Sequence, residues 1–339
     1  MLISENRLEK IFKSLNGKTV AIIGDLMLDR YVWGNVMRIS PEAPVPIVEV
    51  EDESVRLGGA ANVSNNINSL GGIPFLLGVV GDDLNGNILK EISTKQGFDT
   101  SGIIVDDERP TTVKTRVIAH NQHVVRIDNE SRKEISKSTQ SKILGILNSN
   151  ISRIDAIIFQ DYNKGVIVKD LIYNVISLAK SCNKIITVDP KYNNFFEYKN
   201  VFVFKPNRKE TEEALGIKLD DEQTLEYAGK KLLEMLHPDN VLITRGEYGM
   251  SIFSKSNDVR HIPTTARKVA DVSGAGDTVI STLTMAITAG ADIYEAAVLA
   301  NTAGGIVCGE VGIVPIDREE LYQTLLEDMN HRQPRKPSA

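Results

Sequence analysis

The sequence predicts an α/β fold: a doubly wound, mostly parallel central sheet flanked by helices, with a small β-sheet projecting from it. Three observations predict it. Apolar runs at 19–23, 75–80, 156–159, 185–188, 201–204 and 241–244 alternate with amphipathic stretches at 84–96, 168–181 and 222–236. Strand and helix in turn imply right-handed βαβ units and a sheet covered on both faces. The stretch 31–57 is different. It holds Pro41, Pro44 and Pro46, then Ile47-Val48-Glu49-Val50, and has no helical period, so it reads as short exposed strands. Residues 111–118 and 123–127 form a second such patch. Finally, a chain of 339 residues with 42% hydrophobic and 25% charged side chains is long enough to bury a large core without disulfide staples.

Taken in order, Leu8, Ile11, Phe12 and Leu15 line one face of an opening helix that Gly17 stops. The first strand ends at Gly24-Asp25, and a helix over 61–70 follows Gly58-Gly59. Beyond Gly276 the chain turns helical, over 278–289, 293–308 and 318–329. Residues 1–330 read as one domain with the projecting sheet at about 31–57 and 111–128, and 331–339 as a frayed polar tail.

A net charge of −6 argues against nucleic-acid and membrane-surface partners, both of which need a basic face. No run approaches the roughly 18 apolar residues of a membrane helix. The first residues lack a basic segment followed by an apolar one, so no secretory signal is expected. Cys182 and Cys308 stand far apart, which suits a reducing cytoplasm. His120 and His123 have HxxH spacing but no further ligand types nearby, and read as surface histidines.

In doubly wound sheets ligands sit outside the carboxyl ends of the strands, and four clusters fall there. Asp271-Val272-Ser273-Gly274-Ala275-Gly276-Asp277-Thr278 precedes a long helix. Its glycines let backbone N–H groups point outward at a helix N-terminus, an anion hole suited to a transferring phosphoryl group. Asp277 stands beside that hole as a proton acceptor, although the same residues also make a turn and an N-cap. In Lys205-Pro206-Asn207-Arg208-Lys209-Glu210, Asn207 and Glu210 can face one ligand from a first helical turn, typically Mg²⁺-bound water and phosphate oxygens. They also fit a capping box. Gly58-Gly59 before Asn62 allows a ligand close to the backbone, or a tight turn into the next helix. Asp25 and Asp29 after the first strand can hold a polyol, or be ordinary surface carboxylates. Thr244-Arg245-Gly246 with Gly249 bends around a nucleotide phosphate or makes a hairpin turn.

The ordered motifs GGAAN (58–62), KPNRKE (205–210), TRGEYG (244–249) and GAGDT (274–278) resemble the ribokinase-like (PfkB) sugar kinases over nearly the whole chain. Segments 24–31, 38–46, Asp161-Tyr162-Asn163-Lys164-Gly165 and Asp189-Pro190-Lys191 are similar to the branch acting on D-glycero-D-manno-heptose 7-phosphate. The resemblance implies a ribokinase-like fold and ATP-dependent phosphorylation of the anomeric hydroxyl. ATP and Mg²⁺ are the implied cofactors, with a monovalent cation left open. It makes Asp277 the general base and Gly274, Ala275 and Gly276 the anion hole. Asn207, Arg208, Lys209, Glu210, Thr244 and Gly246 become nucleotide residues, Glu210 reaching the metal through water, with Asn301 near the adenine. Asp29, Gly58, Gly59 and Asn62 become sugar-binding, and Arg116 and Lys191 are assigned to the substrate's own phosphate, with Arg38 and Lys164 as further candidates. The projecting sheet becomes a lid over the sugar and a homodimer contact. Val272 departs from the family's usual Thr, and no H-x-G-H nucleotidylyltransferase motif is found, so the kinase activity alone is expected. The rivals are a kinase for ribose, fructose or another sugar phosphate, and a non-catalytic sugar- or nucleotide-binding regulator.

Overall fold

The computed structural model describes residues 3–120, 122–264 and 269–332. Its strands are β1 (Thr19–Gly24), β2 (Leu26–Ile39), β3 (Pro46–Gly59), β4 (Ile73–Gly81), β5 (Ile103–Asp106), β6 (Thr112–Ala119), β7 (Gln122–Asn129), β8 (Ala156–Gln160), β9 (Ile185–Asp189), β10 (Val203–Phe204), β11 (Asn240–Thr244), β12 (Met250–Ser254) and β13 (Val259–Ile262). Its helices are α1 (Glu5–Leu15), α2 (Ala60–Ser69), α3 (Leu84–Lys95), α4 (Lys137–Asn150), α5 (Lys169–Ser181), α6 (Arg208–Leu215), α7 (Glu222–Leu236), α8 (Ala275–Thr288), α9 (Ile293–Val307) and α10 (Arg318–Arg332).

Nine strands form the main sheet in the order β13-β12-β11-β10-β9-β8-β1-β4-β5. Pairing is parallel from β5 through β11 and antiparallel at the β12–β13 edge. All six residues of β1 are buried, as a strand covered on both faces requires. Its side chains alternate between two cores: Val20 and Ile22 join α1, α2, α8 and α9 on one face, and Ala21 and Ile23 join α4, α5 and α7 on the other. The α1 stripe packs as its spacing predicts, and Ser4 caps it by accepting from the Arg7 amide at 3.3 Å. Helix α8 lies between α2 and α9 and is buried from Asp277 through Ile287. That burial carries Asp277 into the interior.

The projecting sheet is real and larger than expected. Its order is β3-β2-β6-β7, with β2 antiparallel to β3, parallel to β6, and β6 antiparallel to β7. The strands are long, not short: β2 and β3 run 14 residues each. Because β1 passes into β2 through Asp25 alone, Asp29 sits within a lid strand and not in a loop after β1. The strand expected at 201–204 is only Val203–Phe204, and β5, β12, β13 and α4 were not foreseen. Helix α10 continues to Arg332, into the stretch expected to fray, and 333–339 lie outside the described residues.

Candidate active site

The carboxyl ends of β1, β8, β9 and β10 deliver Asp25, Gln160-Asp161-Tyr162, Asp189 and Lys205 to one edge, where they meet the start of α8. Gly274 opens that helix at φ 80°, a left-handed conformation for which glycine is suited. Asp277, in the first turn, is 2% exposed. Its Oδ1 accepts from Gln160 Nε2 at 3.0 Å and from the Tyr162 hydroxyl at 2.7 Å, and its Oδ2 accepts from Asn62 Nδ2 at 2.8 Å. Burial pushes the Asp277 carboxyl up to about 7. Asp189 and Asp29 add to the rise, while the hydrogen bonds from Asn62 and Tyr162 oppose it. A carboxylate poised near neutrality beside a helix N-terminus is what general-base chemistry needs. Among the described residues, the Gly276 and Asp277 amides have no backbone acceptor, as expected for a first helical turn. A Cβ at Gly276 would come no closer than 3.6 Å to Asp189 Oδ2, so packing does not demand glycine there.

Asp189 is held by Lys205 Nζ at 3.1 Å and by Gln160 Nε2 at 3.2 Å. Sequence reasoning did not assign Gln160, Tyr162, Asp189 or Lys205 to the site. Their shared position at or just past the carboxyl ends of parallel strands is the signal that could have found them.

Asn207 and Glu210 form the capping box of α6: Asn207 Oδ1 accepts from the Glu210 amide and Glu210 Oε2 from the Asn207 amide, each at 2.8 Å. The other Glu210 oxygen pairs with Lys191. Each Glu210 oxygen thus has a partner, which fits a Mg²⁺ that keeps its own waters and not one ligated directly. Lys191 also lies 5.6 Å over the Tyr162 ring. Burial pulls its ammonium down, but Asp189, Glu210 and Asp277 outweigh that, and it is held above its ordinary value. These partners put Lys191 on the Asp277 side. Arg208 turns to Glu212 and Asp220, and the exposed Lys209 to Glu213, so neither is brought to Asp277.

Thr244 pairs with Asn207 in an isolated bridge, and its amide donates to the Pro206 carbonyl at 3.1 Å. The 245–249 segment is the hairpin turn between β11 and β12. A Cβ at Gly246 (φ 59°) would meet nothing within 4 Å among the described residues; its carbonyl accepts from the Thr264 hydroxyl at 3.4 Å, and so it meets the segment that Asn301 also contacts through the Pro263 carbonyl at 3.1 Å. The stretch thus gathers Asn207, Thr244, Gly246 and Asn301 along one edge.

On the lid side the buried Asp29 pairs with Arg116, and burial pushes its carboxyl up against the pull of Arg116 and Lys114. Arg116 and Arg56 each lie 5.3 Å from the Tyr31 ring. Gly58 and Gly59 are crowded by the protein itself, contrary to the expectation that they leave room for a ligand. A Cβ at Gly58 would lie 2.0 Å from Asp29 Oδ2, and one at Gly59 2.6 Å from the Asp25 carbonyl. Asp25 is buried and turned to the protein, where a surface carboxylate or polyol ligand was the expectation: its oxygens accept from the amides of Tyr162 (2.8 Å), Lys164 (3.2 Å) and Val166 (3.2 Å), and burial, then Asp161, pushes it up to about 6. Lys164, largely buried, pairs with Glu130 at 2.6 Å, and Arg38 pairs with Glu49 at 3.8 Å on the surface. His120 and His123 are exposed. A separate cluster, Glu222, Glu226 and His261, is closed by a Glu222–His261 contact of 3.2 Å.

A family model described as pfkB family carbohydrate kinase matches residues 18–318. The chain is 43% identical over 323 residues to the bifunctional protein HldE of Geobacter sulfurreducens, covering 95% of this chain and 66% of that one. It is 42% identical over 304 residues to the same-named protein of Helicobacter pylori, covering 90% and 65%. The chain therefore spans about two thirds of the length of these relatives. Among solved structures, Arabidopsis thaliana ribokinase complexed with ribose and ATP superposes with a TM-score of 0.72 at 17% identity, covering 91% of this chain and 99% of that one. Escherichia coli phosphofructokinase-2 in complex with potassium gives 0.75 at 15% identity with the same coverage. The fold is ribokinase-like, and the chain belongs to the pfkB family of carbohydrate kinases.

Proposed function

We propose that the protein transfers the γ-phosphoryl of ATP to the anomeric hydroxyl of D-glycero-D-manno-heptose 7-phosphate, giving the 1,7-bisphosphate, in the cytoplasm. The observation that carries the kinase reading is Asp277: a buried carboxylate raised to about 7, held by three donors at the N-terminus of α8. The acceptor hydroxyl gives its proton to this carboxylate, its oxygen forms the new bond to phosphorus, and the bond to the bridging oxygen breaks as ADP leaves. The Gly274–Gly276 turn and the α8 N-terminus receive the negative charge of the transferring group. Bound Mg²⁺ would neutralise phosphate charge, with Glu210 holding one of its waters and Lys191 supplying a second cation nearby. Asn207, Thr244, Gly246 and Asn301 line the nucleotide. Asn62 and Asp29 hold ring hydroxyls, and Asn62 Oδ1, buried and unpartnered, is an acceptor free for one of them.

The choice of heptose rests on the resemblance of segments 24–31, 38–46, 161–165 and 189–191, and is supported by the identity to the bifunctional relatives. Arg116, the remaining cation of the original pair, meets the substrate's phosphate. No helix among the described residues is long and apolar enough to cross a membrane. The lid closes over the sugar and joins two copies, because Met37, Ile39, Val50 and Ile127 present apolar side chains to solvent on long strands that have no cover. Assaying ATP consumption against a panel of sugars tests the reading. Heptose 7-phosphate should exceed unphosphorylated heptose, ribose and fructose by orders of magnitude in kcat/KM. Equal rates on ribose or fructose would remove the heptose assignment, and no turnover on any sugar would remove the kinase reading.

A further inference from the structure

The two oxygens of Asp277 are not equivalent. A carboxylate oxygen has about two in-plane lone pairs. At Oδ1 both are used, by Gln160 and Tyr162, whereas among the described residues Oδ2 accepts only from Asn62. One acceptor position on the carboxylate is therefore open, and it lies on the Asn62 side. There the amide nitrogen of Asn62 is committed to Asp277, while its oxygen is buried without a partner among the described residues.

Of the two donors that close Oδ1, Gln160 belongs to a strand of the sheet, but Tyr162 is delivered by a loop that has its own anchors. Asp25 accepts three amides from residues 162–166, and Asp161 accepts from the Asn163 amide at 2.8 Å, Asn194 Nδ2 at 3.1 Å and the Tyr198 hydroxyl at 2.7 Å. Asn163 takes φ 55°, which turns the chain directly after Tyr162. Two buried carboxylates thus fix a loop whose tyrosine points its hydroxyl at a third.

We infer that Tyr162 is a positioning residue that, with Gln160, closes Oδ1 of Asp277, so that Oδ2 takes the proton and the hydroxyl phosphorylated is the one seated against Asn62. This rests on Asp277 being the base. The step balances: the hydroxyl proton passes to Oδ2, the oxygen's electron pair forms the bond to the γ-phosphorus, and the pair of the broken bridging bond leaves with ADP. The other charged groups facing Asp277 are Asp189 with its partner Lys205, Asp29 with its partner Arg116, and Lys191 across the Tyr162 ring.

Tyr162→Phe keeps the ring under Lys191 and the amide to Asp25 while removing one donor to the ionised carboxylate. The acid limb of its kcat/KM profile, measured with ATP and heptose 7-phosphate, should move up by about one pH unit, the size expected for a lost charge-assisted hydrogen bond. Replacing Tyr162 by 3-fluorotyrosine, a stronger donor of almost the same shape, should move the limb down without lowering the melting temperature. An unmoved limb in the fluorotyrosine protein, or a uniform loss of rate at every pH with an unmoved limb in Tyr162→Phe, would overturn the proposal and leave the base reading intact. If Asp277→Asn retained the wild-type acid limb, the base reading would fail instead.

Discussion

The floor of the active site and the outer half of the lid invert the usual distribution of polar and apolar side chains, in opposite directions. On the floor, Asp25, Gln160, Asp161, Asp189, Lys205 and Asp277 are all buried, although each is polar or charged. On the lid, Met37 is 75%, Ile39 61% and Ile127 57% exposed, although each is apolar. Both arrangements cost stability. Burying charge is tolerated on the floor because nearly every group has a fixed donor or counter-ion. On the lid the apolar strands are left exposed, and the proposed closure and second copy would cover them. The difference sets a floor whose groups are already paired against a lid that, on the proposed reading, binding completes.

The sharpest way to break this comparison is to neutralise the floor's central charge. Asp277→Asn should lower turnover by about 10²–10⁴, the usual worth of a general base, with little change in ATP affinity. Near-native turnover would contradict the assignment. The same change should act oppositely on stability. A carboxyl raised from 3.8 to about 7 by folding contributes stability that is complete below about 3.8 and is lost as pH rises through 7. Asp277→Asn should therefore be more stable than the parent at pH 8, by up to a few kcal/mol, with the gain fading toward pH 4. Asn62 can turn its unpartnered oxygen to meet the new amide. A variant less stable at pH 8 than at pH 4 relative to the parent would show that the charge is not under strain.

On the lid, Ile39→Asp with Ile127→Asp should convert a dimer to a monomer in light scattering at micromolar concentration while leaving the melting of the main sheet unchanged. A parent already monomeric there would remove the lid-to-lid contact. Smaller effects divide the two roles of the α6 cap. Asn207→Ala should cost about 1 kcal/mol, the worth of an N-cap, read as a lowered melting temperature. Glu210→Gln keeps a capping side chain and should instead raise the Mg²⁺ concentration for half-maximal rate. An unchanged Mg²⁺ dependence would leave Glu210 with the cap and the Lys191 pair alone.

The same contrast between local and assembled features explains what was legible in the sequence. The long parallel strands and helices announced themselves by period, and the proline-bearing stretch by its lack of one. Four-residue β5 and β13 are too short to show a period, and α4, KSTQSKILGILNSN, has too narrow an apolar stripe. At the site, Asp277 was legible because GAGD is contiguous, and the Asn207–Glu210 box because both partners lie within one turn. Both readings of that box were local, so spacing could not choose between cap and ligand; the structure fills the cap. Gln160, Tyr162, Asp189 and Lys205 come from three different strand ends and acquire meaning only when the parallel register lines those ends up. Gly58 and Gly59 misled for the complementary reason. What crowds them is Asp29 and Asp25, distant in sequence and adjacent only across the start of the lid.

The proposed base is a carboxyl that is buried yet poised near neutrality, and its protonation can be read without turnover. Infrared difference spectra of the wild type against Asp277→Asn, taken across pH 4 to 9, should isolate one carboxyl whose protonated band disappears with a midpoint at about 7. A midpoint below 5, in the ordinary carboxylate range, would mean that burial does not hold the proton on Asp277, and would contradict its role as a base poised near neutrality.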